Sequence, residues 1–455
     1  MSEQASALDL RSFLEAVSGK GPGHHRVIDR EISPRWMTTA VVRGLAKRFR
    51  NPVIEFRSIE GCRWPMVTNV CASVDRVAKS VGIDRAVLEA RFGEALTDGV
   101  PPIVVPPESA PVRTVEAGPG EFSLHQLPSL FYSAGQSAPY ITAAIVIGFD
   151  PDSGAHNLSF NRFMIDGDHT AAIYMTPGGH LDQICEKNRA AGQSTPVALA
   201  IGTHPLWSYA ALVAGDLDDE DYEAVGAVLG GPLALTPSRV DERLLVPARA
   251  EVLLEGTIEM TELREEGPFG EFLGYMAERA PRPTVQLTRL STRTDPIYQD
   301  IVAGQTEHLT MSSVTLRSRL HRDYFRAIPA VTGFRLPAPM TVFISIDSLR
   351  HPDFDAGAFM EDLLEREAYL KYAYVFDADV DLGKVGDVHT ALSCFSQPGR
   401  DMTVYRDRTG NGIDPSEEEG RTSKVAIDAR ARKAMVRSDL PEEVLADFDL
   451  GRWLA

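Results

Sequence analysis

Thiols are scarce in this chain. Its 455 residues hold four cysteines, Cys62, Cys71, Cys185 and Cys394. They lie far apart, with no CxxC and no zinc-finger spacing, which speaks against a thiolate metal cluster. Few and scattered thiols fit a reducing cytosol, and a chain of this length buries a core without disulfide staples. Long apolar runs are missing too. ITAAIVIGF at 141–149 is roughly half a membrane span and reads as a buried strand. The start, MSEQASALDLRSF, has no basic stretch ahead of an apolar one, so it is not read as a signal peptide. Positive charge is short: 46 Lys and Arg stand against 64 Asp and Glu, a net charge of −18. Such a surface repels phosphate backbones and argues against nucleic acid. Repeats and low-complexity segments are absent. The expectation is a soluble cytoplasmic protein of two to three domains, with no nucleic-acid or membrane partner.

What is present is a changing pattern along the chain. The first hundred residues alternate helix and strand signals: DLRSFLEAV, VIDREI, a helix opened by Ser33-Pro34 with Met37, Val41 and Leu45 as its apolar stripe, then NPVIEFRSIEG and WPMVTNV. PPIVVPPESAP at 101–111, with five prolines, is the linker candidate. The middle is rich in strands. YITAAIVIGFD and HNLSFNRFMID flank the turn residues PDSGA, and TAAIYMT and PVALAIG follow with a helix between them. AEVLLEGTIEM alternates, with Val252, Leu254, Ile258 and Met260 on one face and Glu251, Glu255 and Glu259 on the other. This predicts a barrel-like or α+β region. TVFISID, AGAFMEDLLEREAYL and YAYVFDADVD predict a parallel strand–helix–strand unit. Residues 398–423 read as a polar loop, and an acidic helix signal closes the chain near 440–449.

Five stretches could carry chemistry. In EEGPFGE, Glu266 and Glu271 bracket Gly-Pro-Phe-Gly. The pair is either an exposed hairpin tip or a partly buried set in which one carboxyl holds its proton and serves as general acid. Arg162 shares a strand face with Leu158, Phe160 and Met164. There it needs a carboxylate partner, as a structural salt bridge or as an anion site. His180 follows Pro-Gly-Gly at a helix start, suited to an anion or metal, or simply to capping. Six acids crowd 216–224: Asp216, Asp218, Asp219, Glu220, Asp221 and Glu223. They lack EF-hand spacing and form a solvated loop, or supply one ligand to a hard cation. Lys424, in GRTSKVAIDAR, is read at a loop-to-helix transition, as a phosphate contact or a surface lysine.

Taken in order, these stretches resemble the UbiD-like decarboxylases. The likeness is carried by Asn157 and Arg162 in one strand, the Pro-Gly-Gly-His start 23 residues after Asn157, EVLLEGTIE, EGPFGE, YVFDADVD and SKVAIDA. It runs from about residue 8 to 435, while nicotinamide fingerprints are absent. The resemblance implies an α+β fold with a central flavin-reductase-like split β-barrel between α/β regions, divided here as 1–110, 111–320 and 321–455, the last for oligomerisation. It implies prenylated FMN and reversible non-oxidative decarboxylation of an aromatic, heteroaromatic or α,β-unsaturated acid. Arg162, Glu266 and Glu271 take the acid–base roles, with Glu271 as proton donor. Asn157, Arg162, Gly179, His180 and Lys424 would border or hold the cofactor. A divalent metal, Mn2+ or Mg2+, with K+ alongside, would be bound by Asn157, His180 and a third acid. A gapless match from GAVLG puts Asp221 there, where the family has glutamate, with Glu220 and Glu223 as neighbours. A homodimer or larger assembly is implied, and a flavin prenyltransferase to make the cofactor. Gly179, Phe272 and HLTMSSV at 308–314 would wall a pocket for a planar acid. The rival classes are an ordinary FMN oxidoreductase and a non-catalytic flavin- or metal-binding relative.

Overall fold

The strands in the middle of the chain read as apolar runs because the sheet they form is covered on both faces. This is a computed structural model, describing residues 7–49, 51–213, 215–271, 273–411 and 414–431. The chain divides into two compact units, Met1–Ala327 and Ile328–Ala455. The architecture is mixed α+β.

The first unit is built on a nine-stranded sheet. Its strands are β1 (Val115–Ala117), β2 (Tyr140–Ile141), β3 (Ile145–Phe149), β4 (His156–Phe160), β5 (Arg162–Ile165), β6 (Thr170–Tyr174), β7 (Thr195–Ile201), β8 (Val252–Glu266) and β9 (Ala280–Thr292). The order is β2-β5-β6-β9-β8-β7-β3-β4, with β1 on β9. β4 and β5 are consecutive in the chain, separated only by Asn161, yet they lie towards opposite ends of that order. The sheet therefore curls until its two ends meet at Asn161.

Side chains alternate between two cores by the period of two. Ile145, Ile147, Ala198, Ala200 and Leu253 enter one core; Val146, Val197, Leu199, Val252, Leu254 and Ile258 enter the other. The β3–β4 hairpin forms as expected around PDSGA. The glutamate face of AEVLLEGTIEM differs from a solvated face: Glu251 and Glu255 are wholly buried and held by Arg11, Arg293 and Arg113. A bulge at Glu255/Gly256 then breaks the strict alternation.

Around the sheet stand helices α1 (His180–Ala190), α2 (Asp221–Leu229) and α3 (Thr306–Arg319). At the N-terminal end, 25–28 and 53–56 pair in parallel, with 66–68 beside them. The helix after Ser33-Pro34 begins only at Met37. Val41 and Leu45 of the expected stripe pack against the core, together with buried Val42, Thr38 and Thr39, while Met37, at the first position of the helix, is exposed.

The second unit holds a five-stranded sheet of β10 (Val331–Ala338), β11 (Thr341–Ile346), β12 (Tyr372–Asp377), β13 (Met402–Thr409) and β14 (Arg421–Asp428), in the order β10-β11-β12-β14-β13. β11 and β12 pair in parallel with helix α4 (Ala356–Arg366) between them, the predicted unit. Two expectations are corrected here. Residues 398–423 are not one loop, since they include β13 and the start of β14; β13 is an exposed edge strand, and its Arg406, Asp407 and Arg408 hid its alternation. Lys424 lies inside β14, not at a loop-to-helix transition. The helix signal at 440–449 lies outside the described residues. No helix among the described residues is long and apolar enough to cross a membrane.

Candidate active site

EEGPFGE is a hairpin, but not a solvated one. β8 ends at Glu266, and 269–270 pair with 276–277 to form the turn. Gly267 has φ +98°, and a Cβ there would stand 2.9 Å from the Glu278 carbonyl oxygen, so only glycine fits this corner. Glu266 is 0% exposed. Arg162 opens β5 and reaches it in a fork, Nε to Oε1 at 2.9 Å and Nη2 to Oε2 at 3.1 Å. Arg162 Nη1 donates to Glu271 Oε1. The guanidinium face lies against the rings of Tyr174, 4.2 Å away, and Phe269, 4.7 Å away. Tyr140 completes the group: its hydroxyl donates to Glu266 Oε1 at 2.9 Å and accepts the Gly267 N–H at 3.1 Å.

One guanidinium thus serves two carboxylates. Burial opposes the Arg162 charge, but Glu266 and Glu271 outweigh it and hold its pKa above the ordinary value. Burial raises the pKa of Glu271; the Arg162 charge pulls it down, the Glu266 charge pushes it up, and the balance stays above the usual carboxylate range. His308, partly buried near the start of α3, accepts the Gly304 N–H at Nδ1 (3.3 Å). Desolvation and the Arg162 charge lower its pKa to about 4, so the ring is neutral at physiological pH.

A second group gathers where the β4 edge meets α1 and α2. Asn157 Nδ2 lies 3.4 Å from His180 Nδ1 and 3.2 Å from Asp221 Oδ2. The Leu158 N–H donates to the same Asp221 oxygen at 2.7 Å. Asn157 Oδ1 is buried and meets no hydrogen-bond donor among the described residues. Turning the amide over would bring that oxygen beside the imidazole and the carboxylate, three acceptors that a cation would hold together. Asp221 is screened from water, and that, with the charges of Glu220 and Asp219, raises its pKa to about 7. Glu220 points elsewhere, to His156 and to the Tyr222 N–H. Glu223 lies against Gly99.

A cavity of about 910 Å³ opens beside the second group, and Arg162, Glu266 and Glu271 are not among its lining residues. Asn157, Gly179, His180 and Asp221 line it, as do Asn161 and Met175, the neighbours of Arg162 and Tyr174. Thr315 and Arg319 of α3 form part of its wall. Of the residues singled out from sequence, Arg162, Glu266 and Glu271 therefore meet, and Asn157, His180 and Asp221 meet. Phe272 lies outside the described residues. Lys424, in the second unit, is buried; its Nζ donates to the Leu364 and Glu367 carbonyls at 2.6 and 3.0 Å, and burial lowers its pKa. Tyr140, Tyr174 and His156 were not singled out. Each sits in a segment legible as a strand, and only the pairing of distant strands brings it to the site.

Models of the 3-octaprenyl-4-hydroxybenzoate carboxy-lyase family match most of the chain: its N-terminal domain at 20–96, its Rift-related domain at 104–306 and its C-terminal domain at 309–429. An anhydromevalonate phosphate decarboxylase of Methanosarcina mazei is 27% identical over 409 residues, covering 88% of this chain and 93% of the relative. A phenolic acid decarboxylase of Sedimentibacter hydroxybenzoicus is 27% identical over 443 residues, covering 92% and 91%. Among solved structures, the UbiD-class enzyme HmfF from Pelotomaculum thermopropionicum in complex with FMN superposes with a TM-score of 0.90 at 28% identity, covering 98% of this chain and 100% of that one. An evolved dimeric form of HmfF in complex with prFMN gives 0.87 at 27% identity, covering 98% and 99%.

Proposed function

We propose that this chain, which belongs to the UbiD family of carboxy-lyases, uses prenylated FMN to decarboxylate an aromatic, heteroaromatic or α,β-unsaturated carboxylic acid, reversibly and without net oxidation. The observation that carries this reading is Arg162 shared between buried Glu266 and the raised-pKa Glu271, in the same unit as a cavity of about 910 Å³ lined by Asn157, Gly179, His180 and Asp221, a volume suited to a cofactor with its substrate. Arg162, held by Glu266, orients the substrate carboxylate. The carbon–carbon bond breaks, CO2 leaves, and Glu271 gives its proton to the carbon that lost it. Solvent returns a proton to Glu271. Burial and the Glu266 charge raise its pKa, which favours the protonated form that a donor needs. The prenylated flavin, when bound, supplies the electron sink for the pair left behind.

Asn157, His180 and Asp221 would hold Mn2+ or Mg2+, and through it the cofactor phosphate, with K+ alongside. The orphaned Asn157 oxygen and the acceptor chemistry of the set support the fit. Gly179, at the start of α1, leaves the approach open. The curled sheet is in keeping with a flavin-reductase-like split barrel over 111–320, with α/β regions at 1–110 and 321–455, the latter for assembly into a homodimer or larger oligomer. A flavin prenyltransferase would supply the cofactor, in the cytoplasm. A planar aryl or heteroaryl acid is the proposed substrate class, its carboxylate meeting the Arg162 charge. The test is protein co-expressed with a flavin prenyltransferase, assayed for CO2 loss from aryl, heteroaryl and acrylic acids. Turnover of at least one acid, together with the mass of prenylated FMN, is the expected result. Plain FMN with NADH-dependent turnover would sink the reading.

A further inference from the structure

Three consecutive residues of β4 meet the first two residues around the start of α2. β4 pairs only with β3, so its outer edge presents alternate N–H groups. Glu220 Oε2 accepts the His156 N–H at 3.1 Å, and Asp221 Oδ2 accepts the Leu158 N–H at 2.7 Å. Asn157 lies between them and turns its amide to Asp221. Glu220 is also the N-cap of α2, its side chain accepting the Tyr222 N–H at 3.3 Å.

The His156 ring locks this arrangement from the other side. Its Nδ1 stands 3.0 Å from Glu220 Oε2. Its Nε2 accepts the Leu245 N–H at 3.1 Å and lies 3.1 Å from the Arg243 carbonyl. The Leu245 donor makes Nε2 the acceptor, which leaves the ring proton on Nδ1, facing Glu220. The ring is buried and packs on Tyr222, 5.2 Å between centroids. A single side chain thus ties the start of β4, the start of α2 and the backbone at Leu245. These anchored residues, His156 and Glu220, are the immediate neighbours of Asn157 and Asp221. An aspartate has a short side chain, so where its carboxylate stands is decided mainly by its backbone.

We infer that the His156–Glu220 pair is a positioning device for the cation site: it sets the approach of Asn157 to Asp221, and with it the affinity for a divalent ion. The inference rests on the metal reading above. It is tested by titrating Mn2+ into the full-length chain, prepared without cofactor, and following the electron paramagnetic resonance signal of the free ion. Glu220→Ser retains an oxygen for capping α2 but is too short to reach His156. Glu220→Gln keeps both length and an acceptor oxygen. Glu220→Ser is expected to weaken Mn2+ binding about 10- to 100-fold with little change in melting temperature, Glu220→Gln only a few-fold, and His156→Gln to follow the serine variant. Glu220→Ser binding Mn2+ as the wild type does would overturn the inference, for Glu220 would then be only a helix cap. Equal losses in the serine and glutamine variants would overturn it too, by assigning the effect to charge. A wild-type chain that takes up no Mn2+, or Asp221→Ala that takes it up unchanged, brings down the metal reading and the inference with it.

Discussion

Three buried glutamates lie along β8 and the residue before it, and the two ends of the strand use them differently. At the first end Glu251 faces two guanidiniums, Arg11 and Arg293, with Asp9 sharing the second. Glu255 takes Arg113 in a fork, and the same guanidinium also reaches Ser291 Oγ and the Pro237 carbonyl. Positive and negative charges are matched there; the two glutamates and Arg113 are enclosed by protein, while Arg11 stays partly exposed. At the far end Glu266 and Glu271 draw on the single Arg162. The count is two carboxylates to one guanidinium, in a site with little water to stabilise the surplus. Like charges in such a place push one group towards its neutral form. The matched end holds strands together; at the unmatched end the pKa of Glu271 is raised.

The contrast can be broken in four places. The largest effect is expected for Glu271→Gln, which should cut kcat for CO2 release by about 10²- to 10⁴-fold and leave the melting temperature near that of the wild type. Glu255→Gln should do the reverse. It leaves buried Arg113 with only the longer 3.6 Å pair to Glu116, which costs up to about 3–5 kcal/mol of stability by urea unfolding, while turnover per folded molecule is kept. If Glu255→Gln abolished turnover of folded protein, the division between the two ends would be wrong. Glu266→Gln addresses the proton itself. Glu271 must be protonated to act, so the rate is full below its pKa and falls as pH rises through it. Removing the Glu266 charge takes away a like-charge push and leaves Arg162 to Glu271 alone. Both lower the pKa, so the basic limb of the pH–rate profile should move to lower pH. A move to higher pH would contradict the proposed coupling. The smallest effect belongs to Tyr140→Phe, which removes the bond to Glu266 and the acceptor of the Gly267 N–H, a loss of about 1–3 kcal/mol, read as a drop in kcat/KM of up to about 100-fold.

Much of this was legible before any coordinates. The apolar runs of β3 and β7 and the period of two in β8 announced strands, and the β3–β4 hairpin and the strand–helix–strand unit of the second sheet followed from their turns and lengths. The two-fold nature of the core was not. The alternation put Glu251 and Glu255 on one face, and nothing local reveals that Arg11 and Arg113 come from far away in sequence to meet them. The β13 strand hid behind its own edge charges. In the site, EEGPFGE taken alone supported a surface turn as readily as a buried acid. Asp221, Glu220 and Glu223 could not be told apart, because their separation depends on which way the first turn of α2 faces.

The residues by themselves determined which chemical groups are available: a guanidinium, two carboxyls around a glycine turn, an asparagine, a histidine and a run of acids, spaced in an order that matches a family of carboxy-lyases. Tertiary structure decided their state. A carboxyl holds or loses its proton according to the water and charge around it, and that environment exists only once β5, β8 and the 269–277 hairpin close on one another. The same closing placed Glu220 against His156 and left Asp221 facing Asn157, a choice between neighbours that sequence spacing has no means of making.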